Sequence, residues 1–163
     1  MNANTRVAQL LAMHGLELAR HLRRIVRDDE LAQDLLQDTL LRAHRALTRL
    51  GPGANERAWL YRIATNVALN QLRARVRERK ALERAAREAD TSTTQGDHSA
   101  SADRREALWS RVAQLPERQR VALTLRAADE LEYDEIGRRM GSTAAAARAN
   151  VYQATRKLRL EVR

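Results

Sequence analysis

The sequence of 163 residues contains no cysteine and no phenylalanine, only two prolines, and aromatic residues make up just 3% of it. The lack of cysteine excludes disulfides and thiolate metal sites, and it suits a cytoplasmic location. Without phenylalanine, any core must consist mainly of leucine, valine, isoleucine and alanine. No run of alternating β-branched residues predicts a sheet, whereas the abundance of alanine, leucine and arginine favours helices. We therefore expect an all-α fold.

Two kinds of membrane segment are also missing. The N-terminus lacks the apolar core of a signal peptide, and no apolar run approaches transmembrane length.

The net charge is +9 and the sequence pI is about 11.1, which favours a polyanionic partner, nucleic acid first. A basic helix lying on a membrane is the alternative, but its apolar face would need a sustained stripe of bulky residues.

The charge is distributed unevenly along the chain. Residues 1–80 carry a net charge of +7, residues 81–102 carry −2, and residues 103–163 carry +4. The middle segment includes ADTSTTQGDHSASAD, which is polar, small and without periodicity. Such a composition is typical of a flexible linker. We predict two small helical domains, 1–80 and 103–163, joined by a linker over 81–102.

The first domain is predicted to open with a helix over about 5–26, followed by a helix from Asp28 to Leu50 that begins with three acidic residues, where the helix dipole favours anions. Its leucine spacing predicts one buried stripe: Leu36, Leu40, Ala43, Leu47 and Leu50. Another face of this helix carries Asp34, Gln37, Asp38 and Leu41. It is either a solvated face or a docking surface, and the apolar Leu41 among acids favours docking.

A third helix is predicted to start near Arg57. Leu60, Ala64, Val67 and Gln71 share one side of it. Six residues share an arc of about 80° elsewhere on its surface: Trp59, Arg62, Asn66, Asn70, Arg73 and Arg77. An indole, two amides and three guanidiniums suit single-stranded DNA, because aromatics stack on bases, amides bond base edges and arginines neutralise phosphates. Alternatively, Trp59 belongs to the core and the arginines only solubilise the helix.

The second domain has the order of elements of a helix-turn-helix. A helix over about 103–115 contains Leu108, Val112 and Leu115, and Pro116 fits the first turn of the next helix, whose buried side is Val121, Ala122 and Leu125. A short helix from Tyr133 to Met140 and a Gly141-Ser142-Thr143 turn lead into a long helix ending near Leu160. Gly137 is expected to allow close approach of that last helix, and Ser142 or Thr143 to cap it.

The last helix is predicted to have two distinct faces. Its inward face is Ala147, Val151, Ala154 and Leu158, and its outward face is Arg148, Ala149, Tyr152, Gln153 and Arg156. Arginine and glutamine can read guanine and adenine edges in the major groove. A three-helix bundle with a solvated basic face is the alternative.

Evidence for an enzyme is lacking in the sequence. His14, His21, His44 and His98 do not have the spacing of metal ligands, and neither a phosphate-binding loop nor a nucleophile motif is present. We therefore predict no catalytic residue, no cofactor and no metal site.

Three stretches resemble a known family, and together they cover nearly the whole chain: DDELAQDLLQDTLLRAHRAL, ERAWLYRIATNVALNQLRAR and LPERQRVALTLRAADELEYDEIGRRMG. They are similar to the extracytoplasmic-function (ECF, group IV) sigma factors of bacterial RNA polymerase, of the sigma-70 family. The first two resemble region 2 of the family, a helical bundle, and the third resembles region 4, a helix-turn-helix. The resemblance implies a sigma factor that directs core RNA polymerase to specific promoters and initiates transcription.

The resemblance also implies roles for individual residues. Five match the surface that docks on the β′ clamp helices: Asp34, Leu35, Gln37, Asp38 and Leu41. Trp59, Asn66, Asn70 and Arg73 lie in the segment that melts and captures the −10 element, with Arg62 and Arg77 on the same arc. Arg148, Ala149, Tyr152 and Gln153 match positions that read the −35 element, with Thr143 and Arg156 on the same helix. Region 4 would also engage the β flap, and an anti-sigma factor often holds such proteins inactive.

The family pattern is not kept everywhere. The recognition helix opens Thr143-Ala-Ala-Ala-Ala147 where the family usually has a glycine-threonine-valine pattern, and Asn150 replaces a frequent arginine. Two other classes of protein remain as rivals. A DNA-binding regulator that acts without polymerase would leave Asp34, Gln37, Asp38 and Leu41 unexplained, and a helical scaffold protein would bind no specific DNA.

Overall fold

The computed structural model describes residues 3–51, 53–88 and 100–160. These residues form seven α-helices and no strand, as the composition predicts. The first lobe contains three helices and a short 3₁₀ segment: α1 (Ala3–Val26), α2 (Asp29–Ala46), η1 (Leu47–Arg49) and α3 (Glu56–Glu88). The second lobe contains four: α4 (Ala100–Val112), α5 (Glu117–Ala127), α6 (Tyr133–Met140) and α7 (Ala144–Leu160).

Local chemistry explains where α2 begins and how it packs. The Asp28 side chain accepts a hydrogen bond from the Leu31 backbone N–H at 3.0 Å, which caps the first turn. The predicted buried stripe was right at Ala43 and wrong at its four leucines. The buried residues are Ala32, Leu35, Thr39 and Ala43, and the leucines at 36, 40, 47 and 50 are half-buried at the margin of this face. Small side chains on this face allow α1 and α3 to approach closely, and leucine spacing alone does not reveal them.

The second lobe follows the prediction with two differences. Val121, Ala122 and Leu125 are buried as expected, and so are Ala147, Val151 and Ala154 on α7. In α4, however, Leu108 is 49% exposed and its neighbour Trp109 is buried instead. Pro116 precedes α5 as its N-cap residue rather than lying in its first turn.

The two lobes pack against each other along α3. This helix of 33 residues contacts α1 and α2 on one side and α4, α5 and α6 on another. The buried apolar residues of both lobes belong to one continuous cluster. α3 continues to Glu88 and α4 begins at Ala100, so the predicted linker over 81–102 is helical at both ends. Its central part, 89–99, lies outside the described residues.

Candidate nucleic-acid interface

The acidic face of α2 is open to solvent in the part of the chain that the structure describes. Asp34 and Gln37 are exposed, and Leu41 is 58% exposed. Asp38 is half-exposed and accepts a hydrogen bond from Arg42 Nε at 3.0 Å, one turn along the helix. Leu35 differs from the others, because it is buried in the core and therefore supports the helix from inside. The face thus offers carboxylates around one apolar side chain, that of Leu41. Leu35 is not part of this exposed face.

The residues of the predicted arc on α3 differ in their exposure. Arg62, Asn70, Arg73 and Arg77 are exposed, and Asn66 is half-buried. Trp59 is half-buried and packs against the core cluster, so its ring contributes to both core and surface. Trp59 is therefore partly a core residue and partly available at the surface.

Two residues of this arc are held by the second lobe. Arg62 Nη2 lies 2.6 Å from Glu117 Oε2, and Asn66 Nδ2 donates to Glu117 Oε1 at 3.0 Å. Arg120 Nε donates to Asn66 Oδ1 at 2.7 Å, so both ends of the Asn66 amide are occupied. Burial raises the pKa of the Glu117 carboxyl, but hydrogen bonds from Arg62 and Asn66 outweigh it and leave that pKa below its usual range.

The outward face of α7 is exposed along its length. Arg148, Ala149, Gln153 and Arg156 are exposed, and Tyr152 is 64% exposed. Thr143 is also exposed, and its Oγ1 accepts a hydrogen bond from the Ala146 N–H at 3.2 Å, which makes it the cap of α7. The Arg148 guanidinium lies 5.2 Å from the centroid of the Tyr133 ring, a cation–π contact that steadies it on the surface.

Backbone contacts fix the turn that presents α7. A Cβ at Gly137 would lie 2.8 Å from the carbonyl carbon of Thr143 and 2.9 Å from the nitrogen of Ala144, so only glycine fits here. Gly141 adopts φ +61° at the end of α6, and the Ser142 N–H bonds the Gly137 carbonyl at 2.8 Å. The sequence prediction of a close approach at Gly137 is thereby confirmed.

Comparison with known proteins assigns both lobes. Residues 10–78 match sigma-70 region 2, and residues 105–158 match sigma-70, region 4. The chain belongs to the sigma-70 family of RNA polymerase sigma factors. The two matches follow the two lobes, with region 2 ending inside α3 and region 4 beginning inside α4.

Several relatives of this sigma factor have curated names. It is 34% identical to the RNA polymerase sigma-H factor of Pseudomonas aeruginosa over 142 residues, which cover 80% of this chain and 72% of the relative. It is 33% identical to the sigma factor CarQ of Myxococcus xanthus, covering 92% and 85%. It is 31% identical to the ECF sigma-E factor of Escherichia coli strain K12, covering 74% and 68%. The chain is therefore an ECF-type sigma factor, a protein that directs RNA polymerase to promoters for transcription initiation.

Two solved structures also resemble the sigma factor. One is CnrH in complex with the cytosolic domain of CnrY, with 22% identity and a TM-score of 0.48, covering 98% of this chain and 88% of that one. The other is the sigma factor RpoE in complex with the anti-sigma factor NepR from Bartonella quintana, with 22% identity and a TM-score of 0.49, covering 93% and 92%.

A buried polar cluster joins the two lobes of the sigma factor, and the sequence did not reveal it. His21 Nδ1 lies 2.6 Å from Asp129 Oδ2, and its Nε2 lies 2.8 Å from Thr65 Oγ1. Arg24 Nη1 reaches the other Asp129 oxygen at 3.0 Å. Burial raises the pKa of the Asp129 carboxyl, but hydrogen bonds from His21 and Arg24 outweigh it, and the pKa lies below its usual range. A second contact joins Arg139 Nη1 to the Tyr61 hydroxyl at 2.8 Å.

Among the described residues, no group of three or more histidine, aspartate or glutamate side chains could hold a metal ion. Within the same ranges, no helix combines the length and the apolar composition that crossing a bilayer requires.

Proposed function

We propose that this sigma factor divides promoter recognition among three surfaces. The exposed face of α2 docks on the β′ clamp helices of core polymerase. The arc on α3 melts and captures the −10 element, and the outward face of α7 reads the −35 element. In this proposal residues 1–80 and 103–163 work as two domains, and the intervening segment sets their spacing.

The docking assignment depends on the exposure of Leu41. An apolar side chain that is 58% exposed between carboxylates gains by burial against a partner. Asp34, Gln37 and Asp38 surround it and can pair with basic or polar groups at the rim of such an interface. Leu35 lies beneath this face and positions it.

The −10 assignment combines shape and charge on α3. Asn66 and Asn70 lie one turn apart, and amides at this spacing can bond the edges of successive unstacked bases. The exposed guanidiniums of Arg62, Arg73 and Arg77 run beside them and can neutralise the phosphates of one strand. The exposed part of the Trp59 ring lies at the N-terminal end of this track, where a base can stack on it.

The −35 assignment follows from which outward side chains of α7 are long enough to reach a base. Residues 144 to 147 are alanines, so Arg148 is the first long side chain after the cap at Thr143. Tyr152 and Gln153 follow one turn later and Arg156 one turn after them, and the small side chain of Ala149 lies on the same exposed face. Glutamine and arginine supply the donors that recognise adenine and guanine in the major groove.

The proposal also includes a second polymerase contact, a regulator and the absence of catalytic activity. The second lobe would engage the β flap through the apolar groove beside α7, lined by Leu108, Trp109, Val112 and Leu123. An anti-sigma factor is proposed as a regulator, as the family resemblance implies. The sigma factor would have no catalytic residue and no cofactor of its own, and it would act in the cytoplasm.

A pull-down with core polymerase tests the docking surface. We expect Leu41→Asp to weaken holoenzyme formation by more than about tenfold, because the change places an unpaired charge in the interface. Asp38→Lys should act in the same direction. Leu82→Asp is the matched control, since Leu82 is 66% exposed and lies outside all three surfaces. Circular dichroism should show all variants folded, because exposed substitutions change stability little. Equal recovery of core polymerase with Leu41→Asp and Leu82→Asp would refute the docking assignment.

A further inference from the structure

The basic arc of α3 continues past the residues that match the family. The match to sigma-70 region 2 ends at residue 78, whereas α3 is helical to Glu88. At about 100° per residue, the two cations Lys80 and Arg84 fall within the same arc of about 80° as Arg73 and Arg77. Every residue of this arc from 73 to 84 is a cation, and we call the four of them the cation stripe.

The opposite side of α3 also carries cations, but these stabilise the fold. Arg79 Nη1 lies 2.9 Å from carboxylate oxygens of both Asp103 and Glu106 on α4. Arg75 lies 3.7 Å from Asp28 and 3.9 Å from Glu106. Both arginines are about half a turn around the helix from the cation stripe. α3 is therefore anchored through the side that lies away from the stripe.

The four side chains of the cation stripe are all exposed. In the described part of the chain, none of them has a hydrogen-bond or ion-pair partner. The acids of the same segment, Glu78 and Glu83, lie outside the arc. Like charges three and four residues apart destabilise a helix unless something neutralises them. The stripe therefore favours an anionic ligand from outside the chain.

The length and position of the cation stripe fit duplex DNA. From Arg73 to Arg84 the helix rises about 16 Å, which is the axial rise of about five base pairs. The stripe follows Asn66 and Asn70 toward the C-terminal end of α3. From that end the chain continues to the second lobe, which we propose reads the −35 element. The DNA between the −10 and −35 elements is duplex, so its phosphates are the anions that lie along this path.

We propose that the cation stripe binds the phosphate backbone of the duplex immediately upstream of the −10 element. This inference rests on the proposed role of the α3 arc in −10 capture and adds a duplex contact to it. Arg73 and Arg77 then lie where single strand gives way to duplex, and Lys80 and Arg84 contact the duplex itself. Phosphate contacts carry no sequence information but fix register, so the stripe positions the −10 bases on the asparagines of α3.

An exchange of two residues tests the cation stripe at constant composition. Leu82→Arg combined with Arg84→Leu moves one cation to the opposite side of α3, where Leu82 is 66% exposed. The probe is a fluorescein-labelled fork built on a promoter mapped by transcription in vitro, duplex upstream of −10 and single-stranded from −10 onward. For holoenzyme on this fork, we expect the exchange to lower the slope of log affinity against log salt by about one.

Neutralising both distal cations should have a larger effect on the same fork. Lys80→Gln with Arg84→Gln should lower the salt slope by about two, because two phosphate contacts are lost. Arg20→Gln with Arg104→Gln is the matched control. It removes the same charge from exposed arginines of α1 and α4 that have no ion-pair partner among the described residues. Its salt slope should equal that of the wild type.

A second probe separates duplex binding from strand capture. On the non-template −10 strand alone, without upstream duplex, holoenzymes with the exchange variant and with the wild type should bind equally. Equal losses on both probes would overturn the duplex assignment, because the stripe would then bind the single strand. A wild-type slope for the exchange variant on the fork, or a control slope as low as that of Lys80→Gln with Arg84→Gln, would also overturn it.

Failure of the proposed function would give a different result. If the −10 assignment is wrong, Asn66→Ala with Asn70→Ala leaves the binding of both probes unchanged, whereas the stripe variants are judged by their salt slope on the fork alone. A loss of slope that is confined to the fork and to the stripe variants supports the duplex contact.

Discussion

The two helices that we propose to touch DNA differ in what their outward side chains contact. On α7, the outward residues from Arg148 to Arg156 face solvent, and Arg148 is steadied by Tyr133 of its own lobe. On α3, Arg62 and Asn66 are bound to the other lobe through Glu117 and Arg120. The proposed −35 surface is therefore accessible in the packed arrangement, whereas two residues of the proposed −10 surface, Arg62 and Asn66, are engaged by the other lobe.

The position of each helix in the fold explains the difference. α7 is the last described helix and packs mainly on α5 and α6 and weakly on α4, so one face stays outside. α3 is central and contacts both lobes. Its N-terminal half carries the core residues of the first lobe on one side, so the second lobe can pack only against the remaining surface. Asn70, Arg73 and Arg77 lie farther along α3, beyond the contacts with Glu117 and Arg120, and stay exposed.

The largest effect is expected from disrupting the turn that presents α7. Gly137→Ala should lower the free energy of unfolding by about 3 kcal/mol, because the new Cβ would overlap the backbone of residues 143 and 144, which cannot rotate away. Thermal or urea unfolding measures the loss. −35 binding should fail together with the second lobe, while single-strand binding by α3 should rise as the covering lobe loosens.

Gly51→Ala is the control for this substitution. A Cβ at Gly51 would have nothing within 4 Å, and its φ is not in the positive range, so stability should be unchanged or slightly higher. If Gly137→Ala unfolds at the same denaturant concentration as Gly51→Ala, the turn is not as tightly packed as the distances indicate.

A second experiment compares two asparagines of α3, Asn66 and Asn70. In holoenzyme, Asn66→Ala and Asn70→Ala should each weaken capture of the −10 strand by about 2 kcal/mol, as for a lost amide contact to a base. In the free protein the two should diverge. Asn70 is exposed and only the base contact is lost. Asn66→Ala also removes two hydrogen bonds, to Glu117 and Arg120 of the other lobe, that a base would have to displace, and this partly offsets the loss. Permanganate reactivity of thymines near −10 and anisotropy with single strands provide the two measurements.

Two results would contradict this expectation. Equal losses for the two variants in the free protein would mean that the contacts of Glu117 and Arg120 with Asn66 do not compete with DNA. An unaltered transcription bubble in the double variant would mean that neither amide contacts the −10 strand.

The sequence predicted the elements better than their contacts. The bounds of α6, Tyr133–Met140, were predicted correctly, and α7 is helical as far as Leu160, the last described residue. Turn residues and helical periodicity are local signals, and they determine such bounds. The outward face of α7 was also predicted, because a surface helix at the edge of a lobe has one buried side and one solvent side.

Contacts between distant residues could not be predicted from the same signals. His21 and Asp129 are 108 positions apart, and neither belongs to a motif that would indicate pairing. Leu35 matched the docking segment of the family, yet it is buried, because the helix is amphipathic and a motif covers both of its faces. The packing of Glu117 on Arg62 depends on how two lobes fit together, which periodicity within each helix does not describe.

The smallest expected effect concerns the exposed outward face of α7. Arg148→Ala should relax the preference at one −35 position by about 1 kcal/mol. A bidentate contact to guanine contributes about 1–3 kcal/mol, and the guanidinium must first leave the Tyr133 ring, a cation–π contact of about 0.5–1 kcal/mol. Arg156→Ala, nearer the helix end, should weaken all sequences about equally and reduce the salt dependence, as expected for a phosphate contact. Selection from a randomised −35 library with each variant in holoenzyme distinguishes the two roles. If Arg148→Ala lowers activity on every sequence and keeps the wild-type preference, Arg148 contacts the backbone, and Tyr152 and Gln153 must supply the reading, because they are the remaining long side chains on the exposed face of α7.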